Sequence, residues 1–479
     1  MQIDFDIKKQ KAIIADSSDI SVIREYFSIE NPAAKFQSRF SRFIPKRLYA
    51  ISPLGQFDIG LIDEIQKVIV TNQLHTDVQL TANAKKAYNP SLPIECSEGL
   101  TKTLRNYQVD AVNACLGQGR GVVVMGTGAG KTLTIAALIQ SVFYKQKLPQ
   151  FFKCLLIVPD LGLVRQTYDD FIEYGVDMKI TRWTGSNQPD FSANIIIANT
   201  AILQRQFEDN PDMKCVDLVI VDEVHKLTNS SILSKILQKI DTYNKFGFTG
   251  TLSENKLDKW NTIGKIGPIL YEKTSAELRD EKFLTNVIVN VINISYNEKP
   301  KKIVNKTIAT EQYIEELEFI KANSFRNRVI KTTCSNFNNN ILILVNYIEH
   351  GQILLEHLSS LEGKKVYFIQ GEVEIEEREN IKKIMEIHSN VVCIAMSSIF
   401  STGVNVKNIH MIVFAAGGKS FIRTVQSIGR GLRLHENKEK LIILDIADDL
   451  EYGKKHSQKR KEIYSEQNIV YKESTLIEK

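Results

Sequence analysis

A chain of 479 residues is longer than one hydrophobic core sustains, which implies two to four domains. An apolar fraction of 43% and a charged fraction of 24% are those of a soluble globular protein, and no apolar run approaches the roughly 20 residues that cross a bilayer. The formal net charge of +5 permits a nucleic-acid partner without requiring one. The start, MQIDFDIKKQ, has no apolar h-region of a secretory signal. Six scattered cysteines (96, 115, 154, 215, 334 and 393) form no CxxC pair, which argues against a zinc site or a disulfide framework and for a reducing cytoplasm.

Residues 1–95 read as a small α+β domain. Gln2–Ile7 and Arg47–Ile51 read as strands and Ile62–Val70 as a short amphipathic helix. Between them Arg39, Arg42, Lys46 and Arg47 interleave with Phe36, Phe40 and Phe43. That pattern suits a platform for single-stranded or branched DNA, and equally a small domain burying its phenylalanines.

From residue 98 onward, short β-branched runs alternate with amphipathic stretches, the pattern of parallel α/β domains. A first series of candidate strands is Val122–Met125, Cys154–Val158, Ile195–Ala198 and Leu218–Val221. A second series is Ile341–Val345, Lys365–Ile369, Val391–Ala395, Met411–Ala415 and Leu441–Asp445. Each is a continuous apolar run, as expected of strands covered by helices on both faces. The polar stretch Ser295–Lys306 reads as an inter-domain linker or surface loop. The resulting division is 1–95, 98–280, 281–453, and a basic helix or tail over 454–479, whose basic run spans Lys454–Lys461.

The strongest chemical signal is Gly126-Thr-Gly-Ala-Gly-Lys-Thr132, placed between a strand and a helix. Glycines let backbone N–H groups curl around phosphate oxygens, and the helix that follows offers its positive end. Gly126, Thr127, Gly128, Ala129 and Gly130 would cradle the phosphates, Lys131 would reach the β- and γ-phosphates, and Thr132 would ligate Mg²⁺. Met125 stands where the general pattern has Gly or Ala. Downstream, Val219-Ile-Val-Asp-Glu-Val-His225 delivers two adjacent carboxylates at a strand end. Asp222 suits the Mg²⁺ shell, Glu223 the attacking water, and His225 the sensing of nucleotide state. Gln426-Ser-Ile-Gly-Arg-Gly-Leu-Arg433 sets Arg430 and Arg433 on one helical face, suited to stabilising charge on a transferring phosphoryl group. Taken singly, the acidic pair reads as a solvated turn and the arginine segment as a surface basic helix; their order after a phosphate loop gives them the nucleotide reading.

These segments, in this order over roughly residues 98 to 450, resemble superfamily-two DExH helicases. The resemblance implies two tandem RecA-like parallel-sheet domains, ATP and Mg²⁺ as cofactors, and ATP hydrolysis driving translocation. It makes Leu104-Arg-Asn-Tyr-Gln-Val-Asp-Ala111 the adenine-reading segment, with Arg105 and Gln108. Val158-Pro-Asp and Leu163–Gln166 look like the first strand-gripping motif, and Asn199-Thr200 matches a further phosphate contact. Thr249-Gly-Thr251 looks like the segment coupling ATP to DNA. Ser401-Thr-Gly-Val-Asn405, with Thr402 on DNA and Gly403 on nucleotide, resembles the bridging motif of the second domain, and Gln426 joins Arg430 and Arg433 in catalysis. Phe246–Leu252, Ile399–Val404, Tyr367–Glu374 and Phe36-Gln-Ser-Arg-Phe40 look like the phage UvsW-type recombination helicases. That likeness implies a monomer acting on branched or forked DNA, or on RNA–DNA hybrids, away from membranes and in a host cytoplasm. An RNA helicase, a restriction-type translocase subunit and an ATP-regulated annealing protein are the alternatives.

Overall fold

The computed structural model describes residues 1–15, 19–31, 34, 45–74, 77–92, 95–97, 99–126, 128–185, 189–228, 231–253, 255–281, 283, 286–300, 309–370, 375–397, 408–415, 440–466 and 469–478. The chain divides into two compact units, Met1–Gly126 with Gly130–Thr274, and Ser275–Lys479.

The first unit opens with β1 (Gln2–Asp6), β2 (Lys11–Ala15), β3 (Ser28–Glu30), β4 (Arg47–Tyr49), β5 (Gln56–Phe57) and β6 (Gln79–Leu80). Four of them form a mixed sheet in the order β5-β2-β1-β6, and β3 pairs with β4 alone. The predicted helix is present as Ile62–Thr71, burying Ile62, Ile65, Val68 and Ile69. Asp63 and Glu64 in its first turn complement the positive end of the helix.

Seven strands follow: β7 (Gly121–Met125), β8 (Cys154–Val158), β9 (Ile180–Trp183), β10 (Ile195–Asn199), β11 (Leu218–Asp222), β12 (Lys245–Thr249) and β13 (Ile269–Lys273). They build one sheet in the order β13-β7-β12-β11-β8-β10-β9, with every pair parallel. The four strands read as continuous apolar runs all lie in it. β12 was missed because Lys245 and Gly247 interrupt its apolar pattern; both are buried.

The amino-terminal module is not a separate body ending near residue 95. Its Phe27, Phe57, Ile59, Leu61, Ile62 and Ile65 share a core with Leu257, Trp260 and Ile263 of the helix Lys256–Ile266. Gly60 is where the two backbones meet: a Cβ there would fall 2.0 Å from the Ile263 carbonyl oxygen, so only glycine fits. Buried polar contacts tie the same seam. Asp58 takes Lys265 at 2.7 Å and Lys11 at 2.7 Å. Arg120 donates to the carbonyls of Ile266, Ala87 and Lys265.

The second unit holds β14 (Asn286–Ser295), β15 (Ile341–Val345), β16 (Lys365–Ile369), β17 (Val391–Met396), β18 (Met411–Phe414), β19 (Lys440–Asp448) and β20 (Tyr471–Ile477). Their order is β16-β17-β15-β18-β19-β14-β20, again all parallel. Two points differ from the sequence reading. Ser295–Lys306 is no linker between units, because β14 before it already belongs to the second sheet and the units part at Thr274/Ser275. Nor is 454–479 a tail: Glu451–Glu466 is a helix packed on the sheet, and β20 completes the sheet edge. Arg460 of that basic run is buried on Asp445 at 2.7 Å, and the Tyr464 hydroxyl donates to the same carboxylate.

Candidate nucleotide site

β7 is buried along its whole length, and Met125, the departure from the phosphate-loop pattern, is simply its last core residue. Beyond it Gly128 and Gly130 have φ of 87° and 78°. These left-handed values are open to glycine at little cost, and they turn the chain so that the helix Lys131–Tyr144 begins at once after Gly130. Thr132 lies in its first turn, half-buried. Thr127 lies outside the described residues.

β11 is buried up to Val221 and delivers Asp222 and Glu223 at its end. Glu223 has φ 53° and ψ 48°, a left-handed conformation that costs a non-glycine residue about 1–2 kcal/mol. The chain then curls into the short turn Val224–Lys226, which brings His225 back against Glu223. The result is a connected row of side chains. Lys131 Nζ stands 3.7 Å from Glu223 Oε1, and His225 Nδ1 is 3.2 Å from Glu223 Oε2. His225 Nδ1 also lies 2.9 Å from Thr249 Oγ1, whose hydroxyl donates to the Thr251 carbonyl at 2.7 Å. Phosphate-loop lysine, acidic pair, histidine and coupling threonines are thus joined across β7, β11 and β12.

The two carboxylates are driven apart in acidity. Burial, reinforced by the neighbouring Glu223 charge, raises Asp222 to about 6, with Lys131 the largest opposing influence. Burial pushes Glu223 up as well, but the positive charge and hydrogen bonding of Lys131, His225 and Lys226 outweigh it and bring Glu223 down to about 2. Glu223 is therefore a carboxylate at neutral pH, able to accept a hydrogen bond from water. Lys226 was not singled out from the sequence, although its place directly after His225 was visible.

A buried carboxylate held that high lies in a site short of positive charge. Thr132 and Asp222 together offer a hydroxyl and a carboxylate oxygen, the hard donors that suit Mg²⁺. Among the described residues no group of three His, Cys, Asp or Glu side chains is placed to hold a metal. A short protein donor set fits an ion that also takes substrate phosphates.

Gln108 is buried in the helix Asn106–Gln118, and its side chain closes a capping box by accepting from the Arg105 backbone N–H at 2.9 Å. Its amide nitrogen donates to the Gly130 carbonyl at 3.4 Å. The adenine-reading segment thus touches the phosphate loop itself, a link that spacing along the sequence does not reveal. Arg105 also donates to the Tyr107 hydroxyl. Thr200 is half-buried at the first position of the helix Thr200–Gln206, which Asn199 caps by accepting from Ile202 N at 2.9 Å. Arg39, Arg42, Thr402, Gly403, Gln426, Arg430 and Arg433 lie outside the described residues.

Two family models match the chain: the res subunit of type III restriction enzymes over residues 101–254, and the helicase conserved C-terminal domain over residues 303–435. The chain is a superfamily-two helicase. The first match contains the phosphate loop and acidic pair, and the second falls in the second unit. This helicase is 28% identical over 458 residues to the ATP-dependent DNA helicase uvsW of Enterobacteria phage T4, covering 91% of this chain and 88% of that protein. It is 23% identical to the DNA 3′–5′ translocase XPB2 of Sulfurisphaera tokodaii, covering 71% of this chain and 80% of that one. Its fold is shared with Saccharomyces cerevisiae Dbp5, solved with RNA and ADP–BeF3, at 14% identity and a TM-score of 0.54, covering 78% of this chain and 90% of that chain. The two parallel sheets are accordingly RecA-like, and the helicase is driven by ATP. No helix among its described residues is long and apolar enough to cross a membrane.

Proposed function

We propose that this helicase acts on DNA and remodels branched structures: migrating Holliday junctions, regressing forks and unwinding displaced-strand or RNA–DNA structures in a host cytoplasm. The observation that carries this reading is the extent of the likeness to the phage DNA helicase. It spans 91% of the chain, more than the motor segments alone, and so takes in the amino-terminal module.

In this reading ATP enters over Gly126–Thr132, and Lys131 exchanges Glu223 for the β- and γ-phosphates. Mg²⁺, held by Thr132 and Asp222, supplies charge neutralisation on the phosphates. Release from Lys131 leaves Glu223 free to orient and deprotonate the attacking water. The loss of that ionic partner is felt at His225, which shares Glu223 with Lys131 and touches Thr249; nucleotide state is thereby passed to the Thr249–Thr251 segment. Gln108 and Arg105 address the base. Gln426, Arg430, Arg433 and Gly403 complete hydrolysis, and Thr200, Thr402, Arg39 and Arg42 contact DNA phosphates. Contacts of that kind position a strand without reading its sequence.

The test is an unwinding assay comparing Holliday junctions, forks, R-loops and plain duplexes with either overhang. Preference for junctions and forks is expected. Preference for duplex RNA, or ATP-driven movement along plain duplex without strand separation, would replace this reading by an RNA helicase or a restriction-type translocase. Annealing without unwinding would replace it by an ATP-regulated annealing protein.

A further inference from the structure

The second unit contains a cavity of about 480 Å³ between the helix Glu451–Glu466 and the carboxyl ends of β14, β19 and β20. A helix crossing a parallel sheet normally meets an apolar face. Here the face changes character along the strands. In register, Val291 of β14 stands beside Asp445 and Glu473, and one step on Asn293 stands beside Ala447 and Thr475. Small and polar side chains replace the branched apolar ones that would fill the space. From above, the helix lines the cavity with Lys454, Ser457, Gln458 and Lys461, one stripe at i, i+3, i+4 and i+7.

Two details mark it as built for a ligand. The Ser457 side chain, on a residue only 4% exposed, has a buried hydroxyl with no hydrogen-bond partner among the described residues. A buried hydroxyl without a partner is costly, and uncommon unless something else satisfies it. The charges, secondly, do not balance. Asp449 takes both Lys299 at 2.6 Å and Lys454 at 2.5 Å, and Glu473 takes Lys461 at 3.2 Å and the Asn293 amide at 3.1 Å. Asp448, also at the rim, is spent on Arg326 and the Tyr296 hydroxyl. Three ammonium groups thus face two carboxylates, and Lys454 is the most exposed of the three.

We propose that this cavity binds a phosphate group carried on a nucleotide-sized ligand, at a site separate from the ATP site, with Ser457 donating to a phosphate oxygen and Lys454 and Lys461 supplying the charge. The volume lies within the range of small-molecule sites. The same chemistry is offered by a free mononucleotide and by one unit of a polynucleotide strand.

The test is calorimetric titration of the full-length protein with thymidine monophosphate, thymidine and single-stranded oligothymidylate. Lys454→Ala, at an exposed position, is expected to weaken binding of the phosphate-bearing probes by roughly tenfold, the worth of one hydrogen bond to a charged group. Ser457→Leu, which fills the cavity, is expected to abolish it. Lys131→Ala is expected to leave it unchanged, and thymidine is expected not to bind. Saturation by the monophosphate assigns a free nucleotide, and binding of the oligonucleotide alone assigns a strand. The proposal is overturned if neither phosphate-bearing probe binds at about 10 mM, if thymidine binds as well as its monophosphate, or if binding falls in Lys131→Ala and not in Lys454→Ala. Should Ser457→Leu fail to fold, Lys454→Ala and Lys131→Ala decide between the two sites by themselves.

Discussion

Replacing Asp58 by asparagine removes the one carboxylate on the seam between the amino-terminal module and the helix Lys256–Ile266. Its two oxygens take Lys265 and Lys11, each at 2.7 Å, and the Lys265 side chain is 4% exposed. Taking one partner from a buried pair leaves the other charge uncompensated, at about 3–5 kcal/mol. The more exposed Lys11 adds little. In a unit of this size each kcal/mol moves the melting temperature by about 2–4 °C, so Asp58→Asn should melt roughly 10 °C below wild type. The double variant Asp58→Asn/Lys265→Met should recover most of that loss, because no unpaired charge remains. Acid adds a second check. Burial opposes the charge on Asp58, but Lys265 and Lys11 more than offset it and hold its folded pKa below the ordinary value. Its contribution is therefore complete above the unfolded pKa of about 3.9 and disappears as pH falls through the lower folded one. The gap between wild type and variant should stay constant from pH 8 to about 4 and close only below that. Calorimetric melting across this range decides the matter; a loss under ~2 °C at neutral pH, or a gap that closes near pH 6, would refute the ion-pair argument.

Lys131→Ala should abolish phosphate release while leaving the melting temperature nearly unchanged, since its charge sits in the site and not in the core; normal turnover would remove the phosphate loop from the mechanism. Glu223→Gln should retain ATP and DNA binding but hydrolyse at least ~10²-fold more slowly, as loss of a general base implies. Unchanged single-turnover rates would count against that role. His225→Ala should keep DNA-stimulated ATPase and lose most unwinding per ATP; a proportional fall in both would show that His225 serves hydrolysis itself. Gly130→Ala should weaken ATP binding, because φ is 78° and the new Cβ would lie 2.5 Å from the Gln108 amide nitrogen. Nucleotide affinity within twofold of wild type would show that the loop tolerates the shift.

The nine strands read from continuous apolar runs all exist, because a strand buried on both faces leaves its composition in the sequence. β12 and β20 left no such trace: one carries a buried lysine and glycine, and the other is a polar sheet edge. The phosphate loop and acidic pair were legible because their chemistry is local. What spacing could not show is that Glu223 turns through a left-handed conformation, or that Lys131, His225 and Thr249 meet around it. Those depend on β7, β11 and β12 lying side by side, which is a property of sheet order. The reach of the amino-terminal module was invisible for the same reason, since Asp58 and Lys265 lie 207 residues apart.

That separation has a bearing on how the protein is made. At about 5–20 residues per second, a ribosome needs roughly 10–40 s to pass from Asp58 to Lys265. Throughout that interval Phe27, Phe57 and Ile62 have emerged while Leu257, Trp260 and Ile263 have not been synthesised. The nascent module must therefore wait with part of its apolar face uncovered, so the first unit completes its fold only after its whole sheet has left the ribosome. Slowing synthesis between residues 70 and 250 should accordingly raise the share of chain captured by chaperones, and a stabilised seam would not relieve it.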